Sequence, residues 1–125
     1  MTTVYLTVVE VLAIHEDQIE RFGGSSGVHD PGQLEAALFR PQTGYYEDVI
    51  AEAAALWESL SQNHPFVDGN KRTAFAVTYT FLLLNGHALT ADEDKVNRFL
   101  LPLYARSSIA FSTLETWLRK NTRRL

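Results

Sequence analysis

The chain has no cysteine among its 125 residues, which excludes disulfides, thiolate zinc sites and cysteine nucleophiles and suits a cytoplasmic protein. A basic leader followed by an apolar core is missing, so we expect no signal peptide. No apolar run is long and pure enough to cross a membrane. Because the net charge is −4, the chain also has no surplus of cations for direct, sequence-independent binding of DNA.

Two common site signatures are missing as well. No His-Glu-x-x-His pair is present to hold zinc. Residues 23–27, Gly-Gly-Ser-Ser-Gly, lack the spacing of a dinucleotide or Walker phosphate loop. By themselves they predict a flexible connector between two helices.

Helical periodicity runs through the chain, and no stretch alternates apolar and polar residues with a period of two. Six helices are predicted, starting after Thr7, after Asp30, at about Tyr45, at a polar cluster near residue 70, after Thr90 and after Ser112. Pro41 ends the second of them, the third is expected to end at about Gln62, and Asn85-Gly86 is the stop signal of the fourth. Residues 4–6 form either a short strand or an extended lead. We expect one all-α domain over residues 1–125, since no repeat or long linker divides it.

Residues 64–73 are the most informative stretch, with the sequence His-Pro-Phe-Val-Asp-Gly-Asn-Lys-Arg-Thr. They place an imidazole, a carboxylate, an amide and two cations directly before the apolar run of residues 74–84. That run is too uniformly apolar for an exposed helix and predicts a buried one. The polar cluster then lies at a helix N-terminus, where unpaired N–H groups and the helix dipole favour an anion.

The side chains of this cluster suit phosphate chemistry. His64 can accept a proton at cellular pH, although a lone histidine is more often structural. Asp68 is a helix cap, an ion-pair partner or a ligand for Mg²⁺, which needs only one or two carboxylates when phosphates supply other oxygens. An anion cradle completes the cluster, and its members are Gly69, Asn70, Lys71 and Arg72.

Other residues receive structural interpretations. Phe66 is predicted to anchor the loop in the core, not to stack on a base. Thr73 is predicted to bond back within the first helical turn, and His15 to pack on the first helix. The cations of residues 119–124 favour the negative end of a last helix, with an RNA-binding tail as the alternative.

Residues 64–72 resemble the signature of the Fic/Doc (Fido) family, His-Pro-Phe-x-Asp/Glu-Gly-Asn-Gly/Lys-Arg, with every fixed position filled. The resemblance runs from about Leu6 to Asn85. It implies a compact six-helix bundle, with the motif loop at the N-terminus of a buried central helix and a flap at residues 23–27. It also implies that His64 deprotonates a target hydroxyl, that Asp68 binds Mg²⁺ and that the cradle binds the phosphates of ATP.

Lys71 stands where most members of the family have glycine, and residues 15–37 also resemble the Doc branch. Members of that branch are toxins of toxin–antitoxin modules. The branch implies transfer of the γ-phosphate of ATP to a threonine of elongation factor Tu, which arrests translation. It also implies an antitoxin polypeptide that folds a segment into a groove of the toxin. Pro65 and Gly69 are shared with AMP-transferring members, so AMP transfer stays an alternative, as does a non-catalytic helical binding module.

Fic proteins are often inhibited by a helix of their own with the pattern Ser/Thr-x-x-x-Glu-Gly/Asn. Residues 43–47 approach this pattern, but Asp48 follows where glycine or asparagine is needed. We interpret the segment as the start of the third helix and expect no inhibition in cis.

Overall fold

Six α-helices, one 3₁₀ turn and two short strands make up residues 2–125, the part of the chain that the computed structural model describes. In chain order they are α1 (Val8–Phe22), α2 (Pro31–Phe39), the 3₁₀ turn (Arg40–Thr43), α3 (Val49–Asn63), α4 (Asn70–Leu84), β1 (His87–Leu89), α5 (Glu93–Ala105), α6 (Phe111–Lys120) and β2 (Thr122–Arg124). The all-α class is confirmed. Within residues 2–125, no helix has both the length and the apolarity that crossing a membrane requires.

The centre of the bundle is α3, which packs against α2, α4 and α6. Three consecutive alanines, residues 53–55, are fully buried there and let neighbouring helices approach closely, and Trp57 fills the space beside them. The helix that follows the motif, α4, buries one face through Val77 and Phe81. Its other face leaves Tyr79 42 % exposed, so the apolar run of residues 74–84 is not buried all round.

The first two helices begin where local pairing places them. Thr7 and Glu10 form the predicted capping box at the start of α1. At the start of α2, the Asp30 carboxylate accepts a hydrogen bond from the N–H of Gln33 at 3.2 Å, and Pro31 occupies the first helical position. Both predicted starts are confirmed. The sequence could indicate them because each cap lies within three residues of its partner.

Three predicted helix starts are wrong. Helix α3 begins after Asp48, whose carboxylate accepts from the N–H of Ala51, and not at Tyr45. Helix α5 is capped by Asp92 and not by Thr90. Helix α6 begins at Phe111, after Ala110, two residues before the start at Thr113 that the predicted cap Ser112 would give.

The start of α6 has a tertiary cause. The Glu58 carboxylate on α3 accepts from the N–H of Phe111 at 2.7 Å and so does the work of a cap from another helix. No local pattern in the sequence could indicate this partner.

Within residues 2–125, a two-stranded antiparallel sheet departs from the purely helical fold that the sequence predicts. It pairs His87 with Arg124 and Leu89 with Thr122. Residues 4–6 form no strand, so the first of the two expectations for them is wrong. Three-residue strands are too short to show a period of two, which is why the sequence did not predict the sheet.

Candidate active site

His64 ends α3 and begins the motif loop. Its backbone is left-handed, with φ 48° and ψ 55°, a conformation that costs a non-glycine residue about 1–2 kcal/mol. The side chain is exposed, and its ring makes no hydrogen bond to any of residues 2–125. The turn thus presents a free imidazole at the end of a rigid, buried helix.

The motif loop is closed by the side chain of Asn70. Its Oδ1 accepts from the N–H of Phe66 at 2.9 Å, and its Nδ2 donates to the Phe66 carbonyl at 3.0 Å. This pair uses one of the two Nδ2 protons, so Asn70 can still offer a side-chain N–H as well as its backbone N–H to an anion.

Phe66 is 2 % exposed and stacks on His15 with ring centroids 3.9 Å apart, which confirms it as the core anchor of the loop. His15 packs on α1 as predicted, but it also reaches the motif. Its Nε2–H donates to the carbonyl of Asp68 at 2.8 Å, because a carbonyl can only accept. This buried histidine therefore holds the backbone of the site, a role for which the sequence carried no recognisable signal.

The N-terminus of α4 is open. Gly69 caps it with φ 73° and without a side-chain hydrogen bond. The backbone N–H groups of residues 70–72 have no partner within residues 2–125. Three N–H groups and the positive end of the helix dipole therefore face the same point, an arrangement that favours a phosphate.

Asp68 lies beside this opening. Its Oδ1 accepts from the N–H of Gly69 at 2.8 Å and its Oδ2 from the N–H of Ser25 at 3.2 Å. These two donors, Gly69 first, lower the pKa of the Asp68 carboxyl and keep it ionised at neutral pH. Each carboxylate oxygen retains a second lone pair, so the exposed group suits a hard cation such as Mg²⁺.

The loop of residues 23–27 is fastened to the motif by its backbone. Arg72 Nη2 donates to the Gly23 carbonyl at 2.9 Å, and the N–H of Val67 donates to the Gly27 carbonyl at 3.0 Å. Gly24 allows the closest approach, since a Cβ there would lie 2.7 Å from Asp68 Oδ2. The loop therefore lies against the candidate site and shares both Asp68 and Arg72 with it.

The same five residues also have the Gly-x-Ser-x-Gly spacing of a hydrolase nucleophile elbow. That elbow requires a strand before the serine and a helix directly after it. Here α1 comes before, and the chain continues in irregular structure until α2. The spacing therefore has no hydrolase context in this fold.

The two cations of the motif diverge. The Arg72 guanidinium lies 5.5 Å from the ring centroid of Phe22 at the end of α1. The Lys71 ammonium lies 4.8 Å from the ring centroid of Tyr104 on α5. Sequence reasoning placed both cations in one cradle and missed Tyr104, which is 33 positions away and stands in no recognisable motif.

A groove of about 680 Å³ begins at these cations and runs between α4 and α5. Its walls are mainly apolar, with Phe75, Tyr79, Leu100 and Leu101 among the lining residues. It joins the cationic edge of the candidate site to an exposed apolar surface.

Two further expectations have outcomes here. Thr73 is fully buried and its hydroxyl has no partner, so the predicted bond within the first helical turn is wrong. Glu47 pairs with Arg119 at 3.0 Å and lies outside any helix. Its segment therefore gives no inhibitory contact with Arg72, whose partner is the Gly23 carbonyl.

The sequence profile of the Fic/DOC family matches residues 5–82, and the chain belongs to that family. It is 53% identical over 78 residues to "Toxin Doc" of Mycolicibacterium smegmatis, a stretch that covers 58% of this chain and 60% of that protein. It is 38% identical over 81 residues to "Protein kinase doc" of Escherichia phage P1, covering 62% of this chain and 64% of that protein. The matched stretch thus spans less than two thirds of either relative.

Proposed function

We propose that this chain is a Doc-type toxin that transfers the γ-phosphoryl group of ATP to a hydroxyl of a protein target. The observation that carries the proposal is the open N-terminus of α4, with unpaired N–H groups at residues 70–72 next to the free imidazole of His64. The family membership and the name "Protein kinase doc" support this reaction class, and the name "Toxin Doc" supports the role as a toxin.

In this proposal His64 is the general base. Its ring nitrogen takes the proton of the target hydroxyl while the hydroxyl oxygen bonds to the γ-phosphorus. The bond from that phosphorus to the bridging oxygen breaks, and ADP leaves with the electron pair. The left-handed backbone of His64 projects the ring from the end of α3, so no rearrangement of the helix is needed.

The cradle stabilises the charge on the transferring group. The N–H groups of residues 70–72 and the Arg72 guanidinium donate to phosphate oxygens, and Arg72 can do so with two parallel bonds. For this purpose Arg72 exchanges its bond to the Gly23 carbonyl for a phosphate. Asp68 would hold Mg²⁺, which neutralises phosphate charge when bound.

Lys71 separates the two candidate reactions. Glycine at this position goes with AMP transfer in most of the family, and lysine adds charge and bulk at the α5 edge of the cradle, beside the subsite that otherwise receives the outer phosphates. ATP then binds in the orientation opposite to that used for AMP transfer, so that its γ-phosphate faces the hydroxyl of the target. AMP transfer is the second candidate because Pro65 and Gly69 match the AMP-transferring pattern.

The test uses ATP labelled separately at the α- and γ-positions, with elongation factor Tu as acceptor. Intact-mass measurement of the acceptor distinguishes phosphate from AMP. We expect phosphate alone from the wild type and some AMP from Lys71→Gly. AMP alone from the wild type would overturn the kinase assignment but not the cradle, and no turnover of ATP at all would favour the non-catalytic binding module.

The proposal includes two partners, elongation factor Tu as target and an antitoxin polypeptide as inhibitor. The groove beside α4 supports a place for the antitoxin, because its apolar walls suit an amphipathic helix. Lys71 and Arg72 at the end of the groove suit an acidic residue of such a segment.

A further inference from the structure

The side chain of Lys71 is held by a contact that its sequence position does not predict. It occupies the second position of α4, and its ammonium lies 4.8 Å from the centroid of the Tyr104 ring. A cation within about 6 Å of an aromatic face is attracted by the electrons of the ring. An exposed lysine would otherwise distribute its ammonium over many rotamers, so the ring selects one arrangement.

Tyr104 is itself fixed to the scaffold. It lies near the end of α5, and its hydroxyl shares a hydrogen bond of 3.0 Å with Ser61 Oγ on α3. Burial raises the pKa of the Tyr104 phenol above its usual value, so the ring stays neutral at physiological pH. Ser61 stands three residues before His64 on the same helix. The ring under Lys71 and the proposed base are thus attached to one rigid element.

We propose that Tyr104 is the positioning residue of Lys71, and that it keeps the ammonium on the α5 side of the anion cradle. The inference rests on the proposed function, since it concerns the nucleotide that the cradle receives. An ammonium held over the ring is a fixed charge at the edge of the cradle, between the free N–H groups of α4 and the groove. Without the ring, the four-carbon stem can swing across the cradle and occupy the space of a phosphate.

The first experiment tests the contact itself in the free protein. Protons of the Lys71 ε-methylene group above an aromatic face resonate upfield, and Lys71→Ala identifies their NMR signal by its loss. We expect the upfield shift in the wild type and in Tyr104→Phe, which retains the ring, and its loss in Tyr104→Leu. Equal shifts in all three proteins would overturn the contact.

The second experiment tests the consequence by a double-mutant cycle on the KM for ATP. With Lys71 present, we expect Tyr104→Leu to raise KM about two- to fivefold, the range that an exposed cation–π contact supplies. In the Lys71→Ala background the same change should have no effect. A purely structural Tyr104 would give equal effects in both backgrounds, and that result would overturn the positioning role.

Two control variants isolate the ring. Tyr104→Phe loses the bond to Ser61 but keeps the aromatic face, and we expect a KM like that of the wild type. Tyr79→Leu removes another tyrosine of the same groove that does not contact Lys71, and it should leave KM unchanged. If Tyr79→Leu raises KM as much as Tyr104→Leu, the effect belongs to the groove and the inference fails.

Failure of the proposed function appears elsewhere in the same data. A wild type that transfers nothing from ATP would overturn both the transfer reaction and the role of Tyr104 in it. The NMR shifts would then still report whether the ring holds Lys71. Transfer with additive effects in the cycle would overturn the Tyr104 inference alone.

Discussion

The two ends of α4 are built in opposite ways. At the C-terminal end, the Asn85 amide donates to the carbonyls of Val4 at 2.9 Å and Phe81 at 2.8 Å, and its oxygen accepts from the N–H of Val4. At the N-terminal end, Gly69 offers no side chain, and three backbone N–H groups lack a partner among residues 2–125. One end of the helix is completed by the protein and the other is left to be completed by a ligand.

The difference arises from the residues that flank the helix. Both ends carry unpaired backbone groups of similar strength, so each needs polar partners. At the C-terminal end, Asn85 and Gly86 donate to the last carbonyls of α4, and Val4 pairs with the Asn85 side chain. At the N-terminal end, Asp68 and Arg72 are engaged by the loop of residues 23–27. An anion is therefore the missing partner there.

The largest expected effect comes from removing the proposed base. His64→Ala should lower phosphoryl transfer about 10²- to 10⁴-fold, because the hydroxyl then lacks a proton acceptor. ATP binding and the melting temperature should stay close to those of the wild type, since the ring makes no hydrogen bond in the fold. The matched control is His87→Ala, at the other end of α4, which should keep full activity. Full transfer activity in a folded His64→Ala protein would refute the mechanism.

Loss of a phosphate donor comes next. Arg72→Ala should lower transfer about 10²- to 10³-fold, the usual effect of deleting one preorganised donor, and extra Mg²⁺ should not restore it. Asp68→Ala should recover activity as Mg²⁺ is raised, because it loses a metal ligand and keeps the phosphate donors of the cradle. Magnesium titrations of transfer activity distinguish the two. A titration curve of Asp68→Ala that coincides with that of the wild type would remove Asp68 from the metal site.

A smaller effect on transfer is expected where the loop of residues 23–27 contacts Asp68. Gly24→Ala and Gly44→Ala both place a side chain at positive φ, which destabilises each protein by about 1–2 kcal/mol. Only the Cβ at Gly24 meets Asp68, whereas nothing lies within 4 Å of a Cβ at Gly44. Chemical denaturation should show similar losses, but the magnesium dependence of transfer should change for Gly24→Ala alone. If the magnesium dependence changed in both variants, backbone strain and not the contact with Asp68 would be its cause.

The smallest effect on transfer is expected at the C-terminal end of α4, which Asn85 caps. Asn85→Ala removes the hydrogen bonds to the Val4 backbone, whose exposed groups can bond to water instead, and should lower the free energy of unfolding by about 0.5–1.5 kcal/mol. Activity per folded molecule should stay unchanged, because the open end is untouched. Asn97→Ala, an exposed position on α5, is the control and should change stability by less than about 0.5 kcal/mol. A loss of transfer in Asn85→Ala that exceeds its loss of folded protein would show that the two ends are coupled.

Local sequence patterns predicted much of this fold but few of the contacts between residues far apart in the chain. The starts of α1 and α2 followed from caps within three residues of their partners, and α4 ended at Asn85 as its stop signal indicated. The start of α6 did not, because its cap is a carboxylate on α3. Of the site, the motif residues and the helix N-terminus were predicted. The engagement of the Asn70 amide with Phe66 was not, since several pairings were open to it.

The sequence by itself determined which chemical groups meet at the start of α4, because residues 64–72 are contiguous and carry their own turn and helix signals. Tertiary structure alone decided how those groups are held. His15 reaches the Asp68 carbonyl across 53 positions, and the Ser25 N–H reaches its carboxylate across 43. The ring of Tyr104 lies under Lys71 only because α5 faces the start of α4 across the groove. Such contacts depend on the packing of whole helices, and side chains far apart in the chain carry no mutual pattern by which to predict them.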